Sequence, residues 1–358
     1  MKHWALVLFF LLPAAHPAAE AAEAQRSPDG AQHAWIRIPG GPGTTCSQGT
    51  PYAFFFRSGN PEKLLVHFEG GGACWMSSNC DVNQHPTYVP AIDLKQDPPP
   101  AGIFDFANPG NPFTDYSVLF VPYCTGDVHL GNKTVTYSTP ASERRPESTL
   151  RIRHNGYGNA AAALRWTYRR VKTPRQVFVS GESAGAIASA FYADRVADHY
   201  THAQIVQLGD SAGGYRAAMV PRLLEGWGAT ELMRSFKSYV QADASKLNFE
   251  RLYIAAAHNH PKTQLAQFNT AEDETQLVFL NLIGVPNAVL PQLLEQNLAD
   301  IRAVAPGFRS YTSPGKVHVI LRRPEFYSTQ VNGTRLSDWV AGLAAGRAVV
   351  NVPPTNGK

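Results

Sequence analysis

Two stretches, VFVSGESAGAIAS (177–189) and VQLGDSAGGYRAA (206–218), share the pattern G-x-S-x-G. In each, an apolar run ends at a serine flanked by small residues. A tight strand-to-helix turn of this form presents its serine for attack on a carbonyl, and needs small neighbours because the turn is strained. The fold depends on which serine occupies such a turn, Ser183 or Ser211.

The residues after each serine separate them. Behind Ser183 a helical pattern, AGAIASAFYADRVADHY, runs without interruption, with Ile187, Phe191, Val196 and Tyr200 roughly on one side. Its N-terminus would aim free N–H groups and the positive dipole end at the serine. Behind Ser211 comes AGGYRAAMVPRLLEG, with a second glycine and then Pro221 inside the apparent helix. That reads as a strand end opening into a loop. Ser183 is the candidate nucleophile.

Working outward, apolar runs recur at YAFFFRSG, KLLVHFEGG, SVLFVPYC, RQVFVSG, AQIVQLGD and GKVHVILRR. Near-continuous apolar runs suit strands buried on both faces. Helical patterns lie between them, including NGYGNAAAALRWTYRRV and the late RLSDWVAGLAAG. Alternating strands and helices predict an α/β-hydrolase-like architecture: a mostly parallel central sheet with helices on both faces. The proline-rich stretch from His85 to Asp115 is expected to be an irregular excursion near the site.

The 358-residue chain is 44% hydrophobic and carries a formal net charge of only +4, with no dense basic run, which argues against nucleic acid as a partner. Residues 1–24, with Lys2 and His3 before WALVLFFLLPAA, have the layout of a secretory signal peptide. The mature chain, 25–358, is then expected to be one catalytic domain, secreted or periplasmic, without a membrane span and monomeric. Its four cysteines, Cys46, Cys74, Cys80 and Cys124, suit disulfides in an exported protein. Four cysteines allow three pairings; Cys74 with Cys80 would close a small loop. A zinc site is the weaker alternative, because no C-x-x-C pair exists. Asn132-Lys133-Thr134 and Asn332-Gly333-Thr334 fit glycosylation sequons.

The nucleophile needs companions. Gly70, Gly71 and Gly72 follow the strand-like KLLVHF. Glycine lets backbone N–H groups approach an oxyanion closely, and the N–H of Ala184 would complete such a hole. Chain order in this fold places the acid and then the histidine after the serine. His199 lies late on the helix that starts behind Ser183, roughly 20 Å or more away, and His202 follows at its end. His258 and His260 lie in a plausible loop, and His318 lies in the last strand-like run. The order favours His318. Glu272, Asp273 and Glu274 offer the acid, and spacing alone does not choose among them.

This set resembles the pectin acetylesterase family, which includes the animal Notum carboxylesterases. The likeness runs from Cys46 to SDWVAGL and includes Glu69-Gly70-Gly71-Gly72 with Cys74, Gly181 to Gly185, Asp210-Ser211, DETQ at 273–276 and His318. The resemblance implies a Ser183, Asp273, His318 triad, oxyanion donors Gly71, Gly72 and Ala184, disulfides Cys46–Cys124 and Cys74–Cys80, and a non-nucleophilic role for GDSAGG. It implies a secreted serine carboxylesterase that deacetylates a polysaccharide through an acyl-enzyme, acting on an acylated glycan or small acyl ester without metal or organic cofactor. Departures from the family pattern at Gly72, Ala73 and Trp75, and the missing cysteine near His318, leave the acyl group open. The alternative is a non-catalytic glycan- or lipid-binding protein on the same scaffold.

Overall fold

Alternation along the strands decides the layering. In β3 (Asn60–Phe68), Leu64, Val66 and Phe68 enter one core and Leu65 the other; in β4 (Tyr116–Val121), Leu119 and Val121 oppose Val118 and Phe120. Both faces of the sheet are therefore apolar, which is why these segments read as continuous hydrophobic runs. The computed structural model describes residues 33–139, 141 and 146–354. The expected export signal at residues 1–24 lies outside them.

The remaining strands are β1 (Trp35–Pro39), β2 (Ala53–Arg57), β5 (Lys133–Thr139), β6 (Ser148–His154), β7 (Gln176–Glu182), β8 (Gln204–Asp210), β9 (Gln264–Thr270), β10 (Arg309–Ser313), β11 (Gln330–Val331) and β12 (Thr334–Arg335). Eight form one sheet in the order β1-β2-β4-β3-β7-β8-β9-β10. β2 runs antiparallel to β1 and β4, and all other pairs are parallel. The β5–β6 and β11–β12 hairpins stand outside it.

The helices are α1 (Ser77–Cys80), α2 (Gly156–Arg170), α3 (Ala184–His199), α4 (Val220–Gly226), α5 (Ala229–Arg234), α6 (Phe249–Asn259), α7 (Glu274–Leu282), α8 (Leu290–Val304) and α9 (Leu336–Ala344). Residues of α2, α3, α6 and α8 fill the larger core, while α9 covers the other face with Ile103, Phe104 and Phe113. The mostly parallel α/β architecture is as the sequence predicts. No helix among the described residues is long and apolar enough to cross a membrane.

Two sequence expectations change. GKVHVILRR is not a strand; residues 316–320 have no regular structure, and Val319 has φ 56°. The last sheet strand is the polar-looking β10, which pairs with β9. The proline-rich excursion is irregular apart from one 3₁₀ turn (Gly102–Phe104), yet it is more than a surface feature: Phe104 and Phe113 are buried in the core.

Candidate active site

At the C-terminal end of β7 the chain turns directly into α3. Ser183, the residue between them, has φ 53° and ψ −120°, a conformation that L residues adopt only under constraint. The constraint is steric. A Cβ on Gly181 would lie 2.1 Å from Gly185 O, and one on Gly185 would lie 2.0 Å from Phe68 O. Only glycine at both positions lets helix and strand approach this closely. The Ser183 N–H donates to Asp210 O at 2.8 Å, which ties the turn to the neighbouring strand β8.

The glycine loop after β3 packs on this turn. A Cβ on Gly70 would lie 3.0 Å from Ser183 Cβ. Gly71 and Gly72 have φ 151° and 76°, and a Cβ on Gly72 would meet Thr87 O at 2.0 Å. The proline-rich excursion holds the loop through Val89 N–H to Gly71 O (2.8 Å) and Ala73 N–H to Thr87 O (3.1 Å). His129 Nε2 lies 2.8 Å from Glu69 O, and burial lowers this imidazole to about 4, so it is neutral and donates there. The N–H groups of Gly71, Gly72 and Ala184 donate to no acceptor among the described residues.

Gly72, Ser183 and Ala184 share one cavity with Trp75, Ile187, Leu223, Trp227, Phe249, Phe279 and Ile283. Its walls are almost wholly apolar. It holds ≈ 40 Å³ open to the centres of water-sized molecules.

Of the candidate acids, Asp273 is fully buried, whereas Glu274 is exposed and pairs with Lys316 at 2.8 Å. Asp273 caps α7. Its Oδ1 accepts from Gln276 N (3.0 Å), and its Oδ2 accepts from Gln276 Nε2 (3.1 Å) and from His318 Nδ1 (2.7 Å). The last bond fixes a tautomer with the proton on Nδ1, leaving Nε2 as the acceptor. Nε2 is buried and has no partner among the described residues, so the hydrogen bond to Ser183 Oγ is not formed.

The other histidines are engaged elsewhere. His199 stacks on Tyr168 with ring centroids 3.7 Å apart, and His260 pairs with Asp198 at 2.9 Å. His258 lines a separate cleft, and His202 is exposed. Asp194, Asp198 and His260 could together suit a metal ion. Arg195 already bridges the two carboxylates, however, and supplies the positive charge there. All four cysteines are in disulfides, Cys46–Cys124 and Cys74–Cys80.

Sequence reasoning missed a charged cluster under the site. Arg322 NH1 donates to Glu69 Oε1 (2.9 Å) and Glu182 Oε1 (2.7 Å), the residues directly before the glycine loop and before Ser183. His67 Nε2 lies 3.2 Å from Glu182 Oε2. Burial alone would raise the Glu182 carboxyl, but Arg322 and His67 outweigh it and hold the group at about 2. The members lie 140 or more residues from Arg322 along the chain, so no local signal links them.

The family model described as Pectinacetylesterase matches residues 31–282. The chain is similar to "Palmitoleoyl-protein carboxylesterase notum2" of Xenopus laevis, 26% identical over 163 residues, covering 43% of this chain and 30% of the frog protein. It is also similar to "Inactive palmitoleoyl-protein carboxylesterase notum1b" of Danio rerio, 30% identical over 106 residues, covering 28% of this chain and 71% of that protein. The match thus spans under a third of the frog protein's length. The family match and the likeness to the frog carboxylesterase support a carboxylic ester hydrolase, while the zebrafish relative is named as inactive.

Proposed function

Because the chain belongs to the pectinacetylesterase family, we propose that it is an exported serine esterase that removes a short acyl group, acetyl first among them, from a glycan or small alcohol. The observation that carries this is the His318 Nδ1–Asp273 Oδ2 bond of 2.7 Å, which leaves a buried, unoccupied Nε2 on a loop anchored to the strand beside Ser183. A non-catalytic binding protein would have no use for an oriented, unpartnered base of this kind.

In the proposed reaction His318 Nε2 takes the Ser183 Oγ proton as Oγ attacks the acyl carbonyl. Contacts of this kind tighten when substrate binds. Asp273 holds the ring and offsets its transient positive charge. The N–H groups of Gly71, Gly72 and Ala184 stabilise the oxyanion, each such donor contributing roughly 3–4 kcal/mol. The collapsing intermediate expels the alcohol, which takes its proton from His318. Water then attacks the acyl-enzyme by the same steps and releases the acid.

The acyl group sits in the apolar cavity. A small cavity of ≈ 40 Å³ walled by apolar side chains, Phe279 and Ile283 among them, suits a short acyl group such as acetyl or propionyl better than a long chain. The test is hydrolysis of p-nitrophenyl esters of increasing chain length. The expected result is highest kcat/KM at two or three carbons, with loss in Ser183→Ala. A maximum at eight or more carbons, or an unaffected Ser183→Ala, overturns the reading.

A further inference from the structure

The second G-x-S-x-G segment is buried at the C-terminal end of β8, and the side chains of Asp210 and Ser211 both bond the segment that follows His318. Asp210 Oδ2 accepts the N–H groups of Ile320 (2.7 Å) and Leu321 (2.8 Å). Ser211 Oγ donates to Asp210 Oδ1 (2.7 Å) and accepts the N–H of Val319 (3.1 Å). The three residues after His318 thus rest their backbone on one dipeptide. Three residues further, Gly214 N–H donates to Gln276 Oε1 (2.8 Å), and Gln276 in turn holds both oxygens of Asp273.

The segment His318–Leu321 needs holding. Val319 has φ 56°, a left-handed conformation that a β-branched residue adopts only when its surroundings impose it. Without the Ser211 and Asp210 acceptors, the backbone would relax toward its ordinary range and carry the imidazole with it. Ser211 itself has φ 65° and donates its N–H to Phe268 O (2.9 Å), so its hydroxyl is set from β9 as well. Both residues are fully buried and neither lines the acyl cavity.

We propose that Asp210 and Ser211 are positioning residues that hold the His318 backbone in its strained conformation, so that Nε2 meets Ser183; this rests on the triad reading above. Asp210 needs its carboxylate for this, because both oxygens act only as acceptors. Arg322 of the same loop is held separately by Glu69 and Glu182, so the loop stays attached when the Ser211 hydroxyl is removed. What is lost is the alignment of one ring.

The experiment compares Ser211→Ala and Ser211→Gly with the parent on p-nitrophenyl acetate, alone and combined with His318→Ala. Glycine relieves the backbone strain at position 211 while removing the hydroxyl. Misplacing a reacting group by about 1 Å costs of the order of 100-fold, so kcat is expected to fall roughly 10- to 100-fold in both variants, with KM within about two-fold and a melting temperature lowered by only a few degrees for the buried hydrogen bonds lost. In the His318→Ala background neither substitution should lower the residual rate further. Asp210→Asn should lower kcat in the same His318-dependent way. A Ser211→Ala kcat within about two-fold of the parent, or an equal loss with and without His318, overturns the proposal while leaving the triad intact. Full activity of His318→Ala alone removes the triad and this proposal together.

Discussion

Replacing Arg322 with methionine tests whether the charged cluster beneath the site is structural glue. The guanidinium serves two carboxylates at 2.9 and 2.7 Å, and its side chain is only 17% exposed, against 8% for Glu182 and 27% for Glu69. Methionine keeps much of the side chain's apolar bulk but removes the guanidinium, which also lies 5.2 Å from the centre of the Phe120 ring, so the loss is mainly electrostatic. Removing one partner of a buried pair costs about 3–5 kcal/mol, because the other charge is left unpaired. Here two carboxylates are stranded together, and they cannot both stay ionised.

The pH dependence carries a sign. In the parent, Glu182 sits at about 2, below its ordinary value of 4.5, so its contribution is present above pH 4.5 and lost as pH falls toward 2. Without Arg322 the buried carboxyl rises above its ordinary value. Stability of the variant should then increase as pH falls from neutral toward 5, where protonation relieves the stranded charge. Urea denaturation at pH 7.5 and pH 5 reads this directly. The deficit should be about 3–5 kcal/mol at pH 7.5 and smaller at pH 5, and Glu182→Gln should restore part of it. A deficit under about 1 kcal/mol, or one independent of pH, refutes the reasoning.

Three further outcomes follow from the geometry. Asp273→Asn should leave the fold intact and lower kcat by roughly 10³- to 10⁴-fold with little change in KM, read by steady-state hydrolysis. Phe279→Ala opens the acyl cavity, so kcat/KM for butanoyl over acetyl esters should rise about 10-fold or more, on the scale of one buried methylene; an unchanged ratio would mean the acyl group lies elsewhere. Cys46 and Cys124 close a loop spanning 78 residues, so the Cys46→Ala/Cys124→Ala double variant should lose roughly 4–5 kcal/mol in denaturant unfolding.

Much of the fold was legible because its signals are local. The turn at Ser183 needs a strand, two glycines and a helix within one short window, and all three are visible there. Ser211 was separated from it by the glycines and Pro221 that follow, and in the structure no helix begins until Val220, with Pro221 in the first turn of α4. Chain order favoured His318, but the segment around it was expected to be a strand and is not one. KVHVIL alternates like a strand, yet Ile320 and Leu321 are apolar because they enter the second core, and their N–H groups bond the Asp210 carboxylate instead of a neighbouring strand.

The strands that the pattern missed are polar for a physical reason. In β9, Gln267 and Asn269 are buried and spend their amides on Asn297 and Gly213. In β10, Ser310 takes a hydrogen bond from Arg302. Buried polar residues that satisfy one another leave no hydrophobic signature. The choice of Asp273 over its neighbours likewise rests on burial, which charge alone does not encode.

In the proposed mechanism one serine, Ser183, is activated by an imidazole, that of His318, which arrives from far along the chain. Reacting the intact protein with an alkyl fluorophosphonate and mapping the adduct by peptide mass spectrometry tests it most directly. The prediction is a single adduct on Ser183, absent in Ser183→Ala and formed far more slowly in His318→Ala. An adduct on Ser211, or no adduct on any serine, would contradict it.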